Sequence, residues 1–170
     1  MDLYLSDIAH VQEFAELNRR TVIDEIATGM RWKTEEPVSC IHNYVDFRTE
    51  APMLRKGAVS AQKGEGVIIP INMRDGIIIG TGRGNEEWNY SAPHGAGRVL
   101  KREDVKRSFT VSAFKASMKG IYSPSISKGT LDEAPFAYRG IQEIRNAIEP
   151  TVNVREVLKP VYNFKAAEEA

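Results

Sequence analysis

The chain has 170 residues, 42% of them apolar and 27% charged, a composition that excludes a disordered or low-complexity chain. Its 23 Lys and Arg balance 23 Asp and Glu, so net charge gives no general attraction for nucleic acid, and no apolar run is long enough to span a bilayer. The single cysteine, Cys40, excludes an internal disulfide; with no basic-then-apolar leader at the start, a cytoplasmic location is the expectation.

The first segment, Ser6 to Gly29, reads as a helix, because Ile8, Val11, Phe14, Ala15, Val22 and Ile26 fall near helical spacing. Ser6 or Asp7 can cap it, Gly29 can end it, and its apolar face calls for a partner surface. Ser39 to Phe47, after Pro37, reads as a strand. Gly66–Ile71 and Gly76–Gly80 are short β-branched runs suited to strands buried on both faces, with Asp75-Gly76 as a hairpin turn. Gly82 to Gly97 reads as a polar, glycine-rich loop. Helices are expected over Val111–Lys119 and over Tyr138–Ile148, the second stopped by Pro150. The apolar residues of Val152–Phe164 predict a tail docked on the body. The expectation is one α+β unit over residues 1–170, with a mixed sheet and flanking helices.

Each of the three histidines has its own setting. His10, between Ala9 and Val11, reads as a surface or boundary residue. His94 stands in Pro93-His94-Gly95-Ala96-Gly97-Arg98. Pro93 stiffens the approach, and Gly95 and Gly97 let backbone N–H groups come close to a phosphate. Arg98 offers a planar fork of donors. Two readings fit: a tight turn with an incidental histidine, or an imidazole nucleophile facing phosphorus. His42 follows Cys40 on the expected strand, where alternation puts Cys40, His42 and Tyr44 on one face and Asn43 on the other. Spacing alone favours a core histidine, since two residues do not make a metal site.

The combination of motifs goes further. Asn89-Tyr90-Ser91-Ala92-Pro93-His94-Gly95-Ala96-Gly97-Arg98-Val99-Leu100 closely resembles the signature of the RtcB RNA ligases. Arg55-Lys56-Gly57-Ala58, Ile68-Ile69-Pro70, Asn18-Arg19 and His42-Asn43 resemble that family's upstream motifs, in its order. Asp132-Glu133-Ala134-Pro135 leading to Ala137-Tyr138, and Lys159-Pro160-Val161 ending at Lys165, resemble its downstream ones. The resemblance implies the C-terminal part of the ligase fold. It implies that His94 is the guanylylated nucleophile and His42 a manganese ligand. Tyr138 and Lys165 would help to hold the guanine nucleotide, with Asn43, Gly95, Ala96 and Gly97 beside it. Arg98 and Arg102 would meet phosphate or RNA. GTP and manganese are the implied cofactors. The implied partners are RNAs with 3′-phosphate or 2′,3′-cyclic phosphate ends and RNAs with 5′-hydroxyl ends, in tRNA splicing or RNA repair, and no membrane.

The chain departs from the family pattern in two places. Many members follow Ile-Pro with Gly-Ser-Met-Gly, whereas Pro70 here precedes Ile71-Asn72-Met73-Arg74. The family's other manganese ligands, an Asp, a Cys and two His, belong to an N-terminal part that the resemblance does not reach, and Cys40 is not that cysteine. The isolated chain is therefore expected to be inactive, or nearly so, as a ligase. Two other readings stand beside it: a non-catalytic guanine-nucleotide-binding module, and an assembly fragment that completes the core of a missing part.

Overall fold

The computed structural model describes residues 2–34 and 38–165. Pro37, expected to flank the first strand, lies outside them.

Helix α1 runs over Asp2–Met30, longer at both ends than the sequence predicts. Nothing in Asp2 to Leu5 breaks a helix, so neither Ser6 nor Asp7 caps the start. Gly29 does not end it either. Arg31 takes the left-handed conformation (φ 56°), and the Trp32 and Arg31 N–H groups close on the carbonyls of Ala27 and Thr28. At 1.5 Å per residue the helix is about 43 Å long. Leu3, Val11, Phe14 and Val22 stay exposed on it. It meets the rest of the chain mainly at strand β1 (Asn43–Asp46), where Gln12 donates to the Asn43 carbonyl.

The α+β class holds. The strands, however, divide among three small antiparallel sheets instead of forming one mixed sheet. β1 pairs with β2 (Met53–Lys56). β3 (Ala58–Ser60) pairs with β6 (Ser91–Pro93), a strand within the segment expected to be only loop. β4 (Gly66–Asn72) and β5 (Gly76–Gly82) form the expected hairpin, and β7 (Val152–Leu158) adds to the free edge of β5. The predicted docked tail is this third strand.

The hairpin is not buried on both faces. Val67, Ile69, Ile71 and Ile78 turn inward, while Ile77 is 36% exposed. The inward face packs with Val59 and Ala92 of the β3–β6 pair and with Ile144 and Ile148 of helix α4 (Ile141–Ile148). Its other face is left open by a cleft. A second core gathers Met73, Val105, Phe114, Met118 and Leu131. It draws on α3 (Val111–Ser117), as expected, and on an unforeseen α2 (Arg102–Ser108). Tyr138 packs against both cores. It lies outside α4, in extended backbone that bridges Arg98, because the helix begins only after Gly140.

The β4–β5 turn explains the residues that replace the usual glycines. Ile71 and Met73 are each buried, one in each core. The Asn72 side chain accepts from the N–H groups of Arg74 and Asp75 and donates to the Asp75 carboxylate. The turn closes on Gly76 at φ 87°, where an added Cβ would stand 2.0 Å from the Leu158 carbonyl oxygen. Gly76→Ala should therefore both strain the turn and push β7 away. The expected loss is more than about 2 kcal/mol of unfolding free energy, read from urea denaturation.

Candidate nucleotide-transfer site

Gly57 joins the two site histidines. Its N–H donates to the His42 carbonyl at 3.1 Å. Its carbonyl accepts from the His94 backbone N–H at 3.3 Å and from His94 Nδ1 at 2.7 Å. Gly57 sits at φ 68°, a left-handed conformation that costs a glycine little. A carbonyl can only accept, so Nδ1 carries the hydrogen. The neutral ring then keeps its lone pair on Nε2. His94 is exposed, so that nitrogen can meet a ligand.

The segment before Gly57 is held by a buried ion pair. Arg55 and Asp46 are each 1% exposed, with Arg55 Nε 2.9 Å from the Asp46 carboxylate. Arg55 Nη1 reaches across to the Asn89 carbonyl at 3.3 Å and Ser91 Oγ at 2.5 Å, just before His94. Arg48 pairs with Asp46 at 2.9 Å from the solvent side. Arg48, with Arg55 behind it, holds the Asp46 carboxyl well below the usual carboxylate range despite its burial.

His42 precedes β1, and its ring stacks on His94 with centroids 4.7 Å apart. The extended ladder begins only at Asn43, so His42 leaves the side that Cys40 and Tyr44 share. Those two line a separate small hollow. His42 Nδ1 is buried and has no hydrogen-bond partner among the described residues, as suits one ligand of a metal. Among the described residues, however, no group of three His, Cys, Asp or Glu side chains can hold an ion. The described residues alone do not make a manganese cage. His10 is exposed on α1, its Nδ1 on the Ser6 carbonyl, away from any such group.

Beyond His94 the chain lines a cleft of about 720 Å³. It brings together His94, Gly95, Ala96, Gly97, Arg98, Tyr138 and Lys165. Ala96 N–H donates to the Pro70 carbonyl at 3.0 Å and fixes the glycine turn on β4. Gly97 takes φ 71°. Asn43 and Arg102 do not line this cleft. Asn43 is exposed on β1, and Arg102 lies beside a shallow surface hollow.

Glu133, legible in the sequence only as part of the Asp-Glu-Ala-Pro motif and given no role there, organises the cleft wall. Its carboxylate accepts from the Tyr138 hydroxyl at 2.6 Å. It also lies 3.3 Å from Arg98, 3.4 Å from Arg102 and 3.5 Å from Lys165. Burial alone would raise its pKa, but the Tyr138 hydroxyl and the three cations bring it below the usual value. Arg98 lies over the Tyr138 ring, donates to its hydroxyl at 2.8 Å and donates to the Asp132 carbonyl. The forked donors of Arg98 thus brace the wall from behind. Arg102 is anchored 2.8 Å from buried Asp132. Burial, and next the bond to Glu133, push the Tyr138 phenol up to about 12.

With this geometry in place, comparison with known proteins is decisive. The family model described as tRNA-splicing ligase RtcB matches residues 1–166. The chain belongs to the RtcB family. The RNA-splicing ligase RtcB of Escherichia coli K12 is 34% identical over 179 aligned residues, covering 96% of this chain and 44% of that protein. The tRNA-splicing ligase RtcB of Aeropyrum pernix is 36% identical over 86 residues, 48% of this chain and 18% of its own length. The one from Pyrobaculum aerophilum is 28% identical over 159 residues, 90% of this chain and 31% of its own. This RtcB chain thus spans less than half the length of the curated relatives it matches. Among its described residues, no helix is long and apolar enough to cross a membrane.

Two titrations test the site. Asp46 has a depressed native pKa, so the stability it confers is complete above its unfolded value of about 4 and drains away as pH falls below that. Asp46→Asn should flatten acid unfolding in that window, followed by circular dichroism. Tyr138 should stay protonated where ordinary tyrosines, near 10, ionise. The tyrosinate absorbance lost in Tyr138→Phe should therefore be the part that rises near pH 12.

Proposed function

We propose that this chain carries the nucleotide-transfer site of a GTP-dependent RNA ligase. The enzyme would join RNA 3′-phosphate or 2′,3′-cyclic phosphate ends to 5′-hydroxyl ends, in tRNA splicing or RNA repair. The observation that carries the reading is His94. Its Nδ1 is committed to the Gly57 carbonyl, so Nε2 faces solvent beside a glycine turn and a nucleotide-sized cleft.

In the proposed chemistry Nε2 attacks the α-phosphorus of GTP. The N–P bond forms as the bond to pyrophosphate breaks, leaving GMP on His94. GMP then passes to an RNA 3′-phosphate, and a 5′-hydroxyl displaces it to seal the strand. Gly95 and Gly97 would present backbone N–H groups to the phosphates. Lys165 and Tyr138 would hold the nucleotide at the far wall, with Glu133 fixing both. Manganese, where bound, would polarise the phosphate, and within this chain His42 would offer it one ligand.

The same shortage of ligands supports a second reading, a guanine-nucleotide-binding module without catalysis. Incubation with α-labelled GTP and manganese separates the two. Acid-labile, alkali-stable label on the wild-type chain and none on His94→Ala is the expected result. No label on either, with nucleotide binding by calorimetry that ignores manganese and survives His94→Ala, would establish the module instead. Sealing of 5′-hydroxyl RNA by the chain alone should be at or near background.

A further inference from the structure

Tyr122 and Tyr162 form an aromatic step at the edge of the His94 cleft. The two strands of chain run parallel there. Tyr122 N–H donates to the Val161 carbonyl at 3.1 Å, and Asn163 N–H donates to the Tyr122 carbonyl at 2.9 Å. Their rings stack with centroids 5.6 Å apart and planes 29° from parallel. Both remain open to water, Tyr122 at 67% and Tyr162 at 55%. Tyr162 lines the cleft and Tyr122 does not. The pair therefore leads from inside the cleft to the surface outside it.

Neither ring has a packing reason to be where it is. Two large rings left exposed give up most of what their burial would contribute. Yet the backbone bonds on either side pin them face to face. A preset aromatic face suits the flat π-surface of a base, and every base has one.

The surroundings supply the rest of a polynucleotide's needs. Lys159 and Lys165 line the cleft beside Tyr162. These are cations for a phosphate backbone. Asn163 also lines the cleft, and among the described residues its buried Oδ1 has no hydrogen-bond partner. An orphaned acceptor of this kind calls for a donor from the ligand. A ribose 2′-hydroxyl or a base amine is such a donor.

We infer that Tyr162 and Tyr122 are a stacking platform for the unpaired end of a single-stranded RNA as it enters the His94 cleft. A mononucleotide seated in the cleft could reach Tyr162 only. A strand of two or more nucleotides can use both rings, which is why the occupant is RNA. The inference rests on the reading of this protein as an RNA-joining enzyme and adds the residues that would receive the RNA end.

The test is binding of a fluorescent single-stranded RNA with a 3′-phosphate to the purified chain, without GTP, read by anisotropy. Tyr162→Ala and Tyr122→Ala should each weaken binding about tenfold. Tyr162→Phe and Tyr122→Phe, which keep the rings, should bind as the wild type does, and duplex RNA should compete poorly. Wild-type affinity in both alanine variants, or no RNA binding by the wild-type chain, overturns the inference. So does a Tyr122→Ala loss for GTP alone, by calorimetry, as large as the loss for RNA. His94 labelling is read separately on the wild-type chain, so failure of the platform and failure of the nucleotide-transfer reading are told apart.

Discussion

The site depends first on an arginine buried where arginines are rarely found. Arg55 is desolvated together with Asp46, a costly arrangement unless the pair is well formed. The remaining donors of Arg55 settle the arrangement. They fasten strand β2 to the Asn89–Ser91 segment, and so fix the backbone that arrives two residues later at Gly57. From that position one residue, Gly57, bonds both His42 and His94. The stacked rings are the result of this main-chain geometry, and the imidazole–imidazole contact itself contributes little to it. One Arg55 nitrogen, Nη2, stays buried with no partner among the described residues, a residual cost the pair carries.

A second constraint acts at the far wall. Glu133 is the meeting point of Tyr138, Arg98, Arg102 and Lys165. Without the carboxylate, three cations would repel one another at close range. With it, and with Asp132 behind Arg102, part of their charge is offset before any ligand arrives. The wall is thus stiff and still carries more positive than negative charge, which favours an anionic ligand. This matches a chain whose charges balance overall and whose cations are placed locally.

The sequence made some of this legible and hid the rest, for physical reasons. The β4–β5 hairpin was readable because its turn and its β-branched runs are local signals. So was the glycine turn after His94, where Gly97 takes a positive φ. The grouping of His94, Tyr138 and Lys165 in one cleft was readable only through the family resemblance, since the residues are far apart in the chain. Asp46 was not legible, and Glu133 was visible only as a letter of the Asp-Glu-Ala-Pro motif, because a carboxylate's importance lies in partners the sequence does not place beside it. The start of α4 differs from the periodicity because Tyr138 continues the apolar pattern while its backbone stays extended. The end of α1 differs from expectation because Arg31, and not the nearby glycine, adopts the left-handed turn. Asn43 and Arg102 fall outside the cleft, because β1 turns one outward and Asp132 draws the other aside.

The placing of β7 on the free edge of β5 bears on the order of assembly during synthesis. The strand reaches Leu158, and the stretch behind it brings Lys159, Tyr162, Asn163 and Lys165 to the cleft. A polypeptide emerging from the ribosome exposes Arg55, Gly57 and His94 long before these residues. The His94 imidazole can thus be oriented while its cleft still lacks the side that the tail supplies. Until the last strand zips onto the hairpin, the wall that Glu133 organises stands without Lys165 and its companions, and the cleft is finished only when the C-terminal stretch arrives.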